Sequence, residues 1–303
     1  MFKTNLDIIK YYPPVINRFI MKTVYIAGLP RCGLGNHLFQ IAVAIHYAEK
    51  YGYKIILVSS LPMLYGTGNM FNKRKCYQKG NNTLGYDQTI LSKFTFITPQ
   101  QFANLKKIRH PILRVNNHLS ATNIITPTNG QDLEITGFSQ ALGLFRDVIP
   151  KFPHYFNYHD PDIISYITDK YGDISNGVCL CIRKGDDFKH MIKLTTNSYT
   201  KALDHLQGTG VSLDKLFIIA DVPNIHKYFD LSKYNYVEVD ESDIVQLYFG
   251  IMCKHYILSE STFHLWMAYL GSLDDPESNV ICFNNTDITN RNLALVDWIK
   301  IDY

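Results

Sequence analysis

The chain has 303 residues, 46% of them apolar or aromatic and 19% charged, with a formal net charge of +3. That length holds two domains of ordinary size and a sizeable core. The charge is too mild for a nucleic-acid surface, which needs a strongly basic patch, and no stretch approaches the length of a membrane span.

Residues 1–20 read as an extension without the unbroken apolar core of a secretion signal. The six cysteines, Cys32, Cys76, Cys179, Cys181, Cys253 and Cys282, contain no C-x-x-C pair and no zinc spacing. Reduced, buried thiols in a cytoplasmic protein, at most peripherally attached to a membrane, are therefore expected.

Val24, Tyr25, Ile26 and Ala27 form the first strand, followed by a glycine loop at 28–36 and a helix to about residue 51 with Phe39, Val43 and Tyr47 on one face. With the next strand at 54–59, this β-loop-α-β opening calls for a parallel sheet. Between residues 64 and 94 the pattern breaks into Gly, Asn, Lys and Tyr, including Lys73-Arg74-Lys75, as either a solvated loop or an acceptor-facing insertion would. A strand at 133–138 ends in Gly137-Phe138-Ser139-Gln140 and runs into a helix that Pro150 stops. Prolines and aromatics without period at 153–162 mark the boundary between a first domain, 21–158, and a second, 159–303.

The second half alternates strands at 178–182, 216–220 and 280–283 with helices at 199–206 and 243–252. In residues 253–271, a short strand through Tyr256, Ile257 and Leu258 leads to hydroxyls at Ser259, Ser261 and Thr262. A helix then carries Phe263, Trp266, Met267 and Leu270. A Ser/Thr turn opening a helix is either a cap or a phosphate site. Ligand crevices of open parallel sheets lie outside the carboxyl ends of the strands, so Arg183, Asp221 and the Ser259 to Thr262 hydroxyls are expected on one edge.

Gly28 and Gly33 have P-loop spacing, but Leu34 stands where the lysine must be, and Gly33-x-Gly35-x-x-Leu38 lacks the third glycine of a dinucleotide loop. What is left is a strand-to-helix turn that permits close backbone approach, with Asn36 at or near the N-cap. Arg183 either clamps a pyrophosphate with its planar fork or pairs with Asp186 at the surface. Asp221 either accepts hydrogen bonds from a nucleoside or caps the following helix.

The segments taken together carry more than any one of them. Gly33-Leu34-Gly35-Asn36-His37-Leu38-Phe39-Gln40 resembles the G-L-G-N-Q-M-F-Q signature of the α1,2-fucosyltransferases of glycosyltransferase family 11. Gly137-Phe138-Ser139-Gln140 is similar to that family's G-Y-x-Q, and Cys181-Ile182-Arg183-Lys184-Gly185-Asp186 to its H-x-R-R-G-D. Glu260-Ser261-Thr262-Phe263-His264-Leu265-Trp266 is similar to its N-S-T-F-S-W-W.

The resemblance implies an α/β chain of GT-B type, two Rossmann-like domains facing a central cleft, with the acceptor on the first half and GDP-fucose on the second. It implies inverting transfer of L-fucose to O2 of a galactose-type residue in a glycan acceptor, with no metal and no cofactor. Donor-binding residues would be Gly33, Gly35, Asn36, Arg183, Asp221, Ser261, Thr262 and Phe263. Arg183 would also stabilise the leaving diphosphate. The base stays open among Asp186, Asp187, Glu260, His37 and His264, with Asp186 first by its motif position and Glu260 the alternative.

Cys181, Lys184 and Glu260 depart from the family pattern. Another GDP-sugar transferase, or a catalytically silent glycan-binding relative, is the competing expectation. A carboxylate at Glu260 would repel a neighbouring pyrophosphate unless it points elsewhere, toward Lys254 or the acceptor.

Overall fold

A computed structural model describes residues 22–28, 32–59, 78–79, 82–108, 112–116, 126–127, 131–184 and 194–302. The proposed extension at 1–20 and the Lys73-Arg74-Lys75 segment lie outside them.

The first half contains β1 (Thr23–Ile26), α1 (Leu34–Tyr51), β2 (Lys54–Val58), a small antiparallel pair β3 (Gln78–Lys79) and β4 (Asn82–Thr83), β5 (Thr95–Ile97), α2 (Pro99–Ile108), β6 (Leu113–Asn116) and β7 (Leu133–Thr136). Its five-stranded sheet has the order β5-β2-β1-β7-β6, every pair parallel. Val24, Tyr25 and Ile26 are all buried, as the unbroken apolar run of a doubly covered parallel strand requires. Phe39, Val43 and Tyr47 of α1 are buried together, as their spacing predicts.

The connection is α3 (Phe152–Tyr155) and α4 (Pro161–Tyr171). The second half follows with β8 (Val178–Ile182), α5 (Thr196–Gly208), β9 (Leu216–Ala220), β10 (Tyr236–Glu238), α6 (Asp243–Met252), β11 (His255–Ile257), α7 (Thr262–Asp274), β12 (Val280–Phe283), α8 (Asp287–Asn290) and β13 (Ile299–Ile301). Its six strands run β10-β9-β8-β11-β12-β13, again all parallel. Each half is thus a parallel α/β sheet with helices, as expected of two Rossmann-like domains.

Three local expectations change. Pro150 does not stop a helix: it lies inside a 3₁₀ segment, Arg146–Lys151, that leads directly into α3. The strand expected at 133–138 ends at Thr136, because Gly137 (φ 81°) and Ser139 (φ 53°) turn the backbone out of the extended region. The boundary segment itself contains the start of α4, where the Asp160 carboxylate accepts from the Asp162 and Ile163 amides and Pro161 takes the first turn. The proposed division at 158/159 leaves each sheet whole.

The halves share a core. Trp266 of α7 is fully buried, with ring-centroid distances of 5.3 Å to Phe39 of α1, 5.3 Å to Phe152, 5.9 Å to Phe156 and 5.5 Å to Tyr269. Tyr248 of α6 donates to the Asn157 carbonyl, and Tyr86 of the first half donates to Asp243. The joint between the domains is therefore a packed aromatic layer. Among the described residues no helix is long and apolar enough to cross a membrane.

Candidate active site

Strand register brings the expected edge together. Ile182 pairs with Ala220, so the next residues, Arg183 and Asp221, emerge side by side. On the other flank Leu180 pairs with Ile257, which sets Ser259 level with Ile182. Arg183 Nε lies 3.2 Å from Asp221 Oδ2, and the Lys184 amide donates to Asp221 Oδ1 at 2.7 Å. Asp221 therefore braces Arg183 and does not cap the next helical turn, which starts after Asn224. Its carboxylate is 8% exposed while the guanidinium is 23% exposed, so the brace is sheltered and the arginine reaches solvent. Lys184 Nζ sits 5.7 Å from the centroid of the Tyr228 ring, which is 48% exposed. Asp186 and Asp187, expected as bases, lie outside the described residues.

Tyr199 of α5 is fully buried behind this edge. Burial pushes its hydroxyl well above the ordinary tyrosine range, and the nearby Asp221 and Glu260 carboxylates push the same way.

The turn that opens α7 does not behave as a simple cap. Ser261 occupies the N-cap position, yet its side chain makes no capping hydrogen bond, and no acidic residue stands in the first helical turn. Of the turn's other hydroxyls, Ser259 Oγ is 2.7 Å from His264 Nδ1 and Thr262 Oγ1 donates to Asn36 Oδ1. An α-helix leaves its first amides without intrahelical acceptors, so this end presents positive potential to the sheet edge. Glu260 is 9% exposed here and does not reach Lys254, whose ammonium pairs with Asp275 at 3.1 Å and Glu277 at 3.3 Å. Cys181 is fully buried, with its sulfur 3.7 Å from that of Cys179. Burial pushes its thiol up and keeps it protonated, so this departure from the family pattern falls in the core.

A polar chain joins the two halves. Gly33, not Asn36, is the N-cap of α1; Asn36 is the third helical residue, its amide bonded to the Gly33 carbonyl. Asn36 Oδ1 accepts from Gln140 Nε2 at 2.5 Å and from Thr262 Oγ1 at 3.2 Å. Gln140 Oε1 in turn accepts from Arg291 at 2.6 Å. Arg291 was not legible as a site residue, because it belongs to no motif and reaches the crossing only by following α8.

Gly35 explains why glycine is needed in this loop. A Cβ there would lie 2.5 Å from the Phe263 nitrogen and 2.7 Å from the Thr262 carbonyl carbon, so the first turns of α1 and α7 touch backbone to backbone. At Gly33 a Cβ would meet nothing within 4 Å. The close approach expected of the loop is made to the other domain at Gly35.

Asp160-Pro161-Asp162 has the D-x-D spacing used elsewhere to hold the metal of a sugar nucleotide, but here Asp160 caps α4. Arg183, Asp221, Ser261, Thr262, Phe263, Asn36 and Gly35 thus lie along the facing edges of the sheets, with Gly33 at the start of α1.

The model of the glycosyl transferase family 11 matches residues 24–302. No curated protein matches the chain. Among solved structures, the fucosyltransferase NodZ from Bradyrhizobium is 10% identical, with 81% of this chain and 92% of that one covered and a TM-score of 0.48. An Arabidopsis thaliana FUT1 mutant in complex with GDP is 10% identical, covering 86% and 70%, with a TM-score of 0.45. POFUT1 in complex with GDP is 11% identical, covering 84% and 98%, with a TM-score of 0.46.

Proposed function

The chain belongs to glycosyltransferase family 11, and on that premise we propose that it moves L-fucose from GDP-fucose to a glycan acceptor, with inversion, most simply to O2 of a galactose-type residue. The observation that carries this reading is Arg183, braced by Asp221 at the same sheet edge as the uncapped start of α7. A cation with a planar fork beside a helix N-terminus suits a diphosphate whose charge grows as it leaves.

In the proposed step an acceptor hydroxyl oxygen forms a bond to fucose C1 while the bond from C1 to the phosphate oxygen breaks. The electron pair goes to the diphosphate, where Arg183 and the first amides of α7 receive it. Thr262 and Asn36 hold the facing domains in register around the donor. The hydroxyl proton passes to a carboxylate, Asp186 by its motif position or Glu260 by its place at the edge. With Arg183 and a helix end supplying positive charge, the reaction is proposed to run without a metal.

The test is turnover of GDP-fucose on lactose. Arg183→Ala should lose roughly 10²-fold or more, the scale of a missing transition-state donor. Arg183→Lys should not restore it, because an ammonium lacks the bidentate fork. Near-normal rates in Arg183→Ala would end this assignment, and activity lost to EDTA and regained with Mn²⁺ would end the metal-free step. Thermal shift with GDP-fucose, GDP-mannose and a UDP-sugar separates the donor alternatives. No response to any GDP-sugar at millimolar concentration would favour a silent glycan-binding relative.

A further inference from the structure

Phe138 is one of the few large apolar side chains that the described residues leave in solvent, at 40% exposure. It follows β7 at the carboxyl edge of the first sheet, where Ile26 pairs with Ile135 and Gly28 and Gly137 leave the sheet side by side. Left-handed backbone stands on both sides of it, at Gly137 (φ 81°) and at Ser139 (φ 53°). Ser139 is not a glycine and is fully buried, so the chain accepts strain to make this turn. Such strain persists only where the surroundings enforce it, and they do. Gln40 of α1 donates to the Gly137 carbonyl at 2.9 Å, and Gln140 is held by Asn36 and Arg291.

The ring is thus carried on backbone anchored from both directions, next to the polar chain that joins the domains. A rigid aromatic with only two side-chain torsions loses little entropy on contact. Its flat apolar face complements the C–H face of a pyranose.

We propose that Phe138 is the platform on which the acceptor sugar stacks, fixing the ring while its hydroxyl faces the donor. The assignment rests on the fucosyl-transfer reading above and adds a residue for the acceptor, on the half opposite Arg183.

The experiment varies lactose at saturating GDP-fucose and measures the Kd of GDP-fucose by calorimetry. Phe138→Ala should raise the lactose KM roughly 5- to 10-fold, the scale of one lost aromatic contact, with kcat and the donor Kd within about twofold. Phe138→Tyr should keep the wild-type KM. An unchanged lactose KM in Phe138→Ala, an equal loss of donor affinity, or a rise in Phe138→Tyr as large as in Phe138→Ala would each overturn the platform. Failure of the underlying reading has a different signature: the wild-type protein would not turn over GDP-fucose on lactose at all, and both proposals would fall.

Discussion

Replacing Gly35 with alanine puts a methyl group where none fits. Its Cβ would stand 2.5 Å from the Phe263 nitrogen, 2.7 Å from the Thr262 carbonyl carbon and 2.8 Å from the Phe263 Cα. All three are backbone atoms, so no side-chain rotation relieves the clash and α1 and α7 must move apart by about 1 Å to reach ordinary contact. Overpacking of this kind costs about 1–3 kcal/mol, and rigid backbone on both sides places it toward the upper end. Alanine's better helix propensity returns at most about 1 kcal/mol, less near a helix end, so a net loss of about 2 kcal/mol is expected. At about 2–4 °C per kcal/mol, Tm falls by about 4–8 °C. The same shift stretches the Thr262 to Asn36 bond and displaces the start of α7 from Arg183. Misplacement by about 1 Å costs on the order of 10²-fold in rate. The control is Gly33→Ala, where a Cβ meets nothing within 4 Å. Differential scanning calorimetry and GDP-fucose turnover should separate the two variants. If Gly35→Ala keeps wild-type Tm and rate, or if Gly33→Ala loses as much, the helix-to-helix contact is not what the glycine serves.

Trp266→Ala removes the ring that Phe39, Phe152, Phe156 and Tyr269 surround, and should cost about 3–5 kcal/mol, read as a lower urea midpoint in one transition because the core is shared. Separate transitions for the two halves would contradict the shared core. Asp221→Ala unmoors Arg183 and the Lys184 amide together, so GDP affinity measured by calorimetry should fall roughly tenfold, on the scale of a hydrogen bond to a charged group. Unchanged affinity would show that the brace is dispensable. His255 Nδ1 accepts from the Asn279 amide, and burial, with Lys254 beside it, holds its pKa below the usual value; burial and Lys50 do the same to His46. Below a pH of about 6.5 the unfolded chain takes up protons at these sites that the folded chain refuses, so stability falls on acidification. Tm should drop from pH 7.5 to 5.5, less steeply in the His46→Gln, His255→Gln variant; equal slopes would exclude these two histidines as the cause.

The alternation of apolar runs with helical periods carried the fold, since buried parallel strands and amphipathic helices each leave a signal within a few residues. Val178–Ile182, Leu216–Ala220, Asp243–Met252 and Val280–Phe283 stand where the pattern placed them. The edge was legible too, because a residue that follows a parallel strand must emerge at its carboxyl end. Arg183 and Asp221 were expected at one edge on that ground alone. Errors came where local signals compete. Pro150 is a helix breaker in the interior of an α-helix, but a 3₁₀ segment entering a new helix accommodates it. Asp160-Pro161 reads as boundary composition, although a carboxylate before proline is also a helix start.

Which residue types stand at the carboxyl ends of the strands follows from the chain alone, because period and punctuation are local properties. Their partners do not. Asp221 as the brace of Arg183, Gly35 against Phe263, and the chain from Arg291 through Gln140 and Asn36 to Thr262 join positions far apart in the chain. Such pairings are set by strand order and by the docking of α1 on α7, which no residue spacing encodes. They arise on folding, which also gives the glycine loop its use: bringing two helix ends into backbone contact.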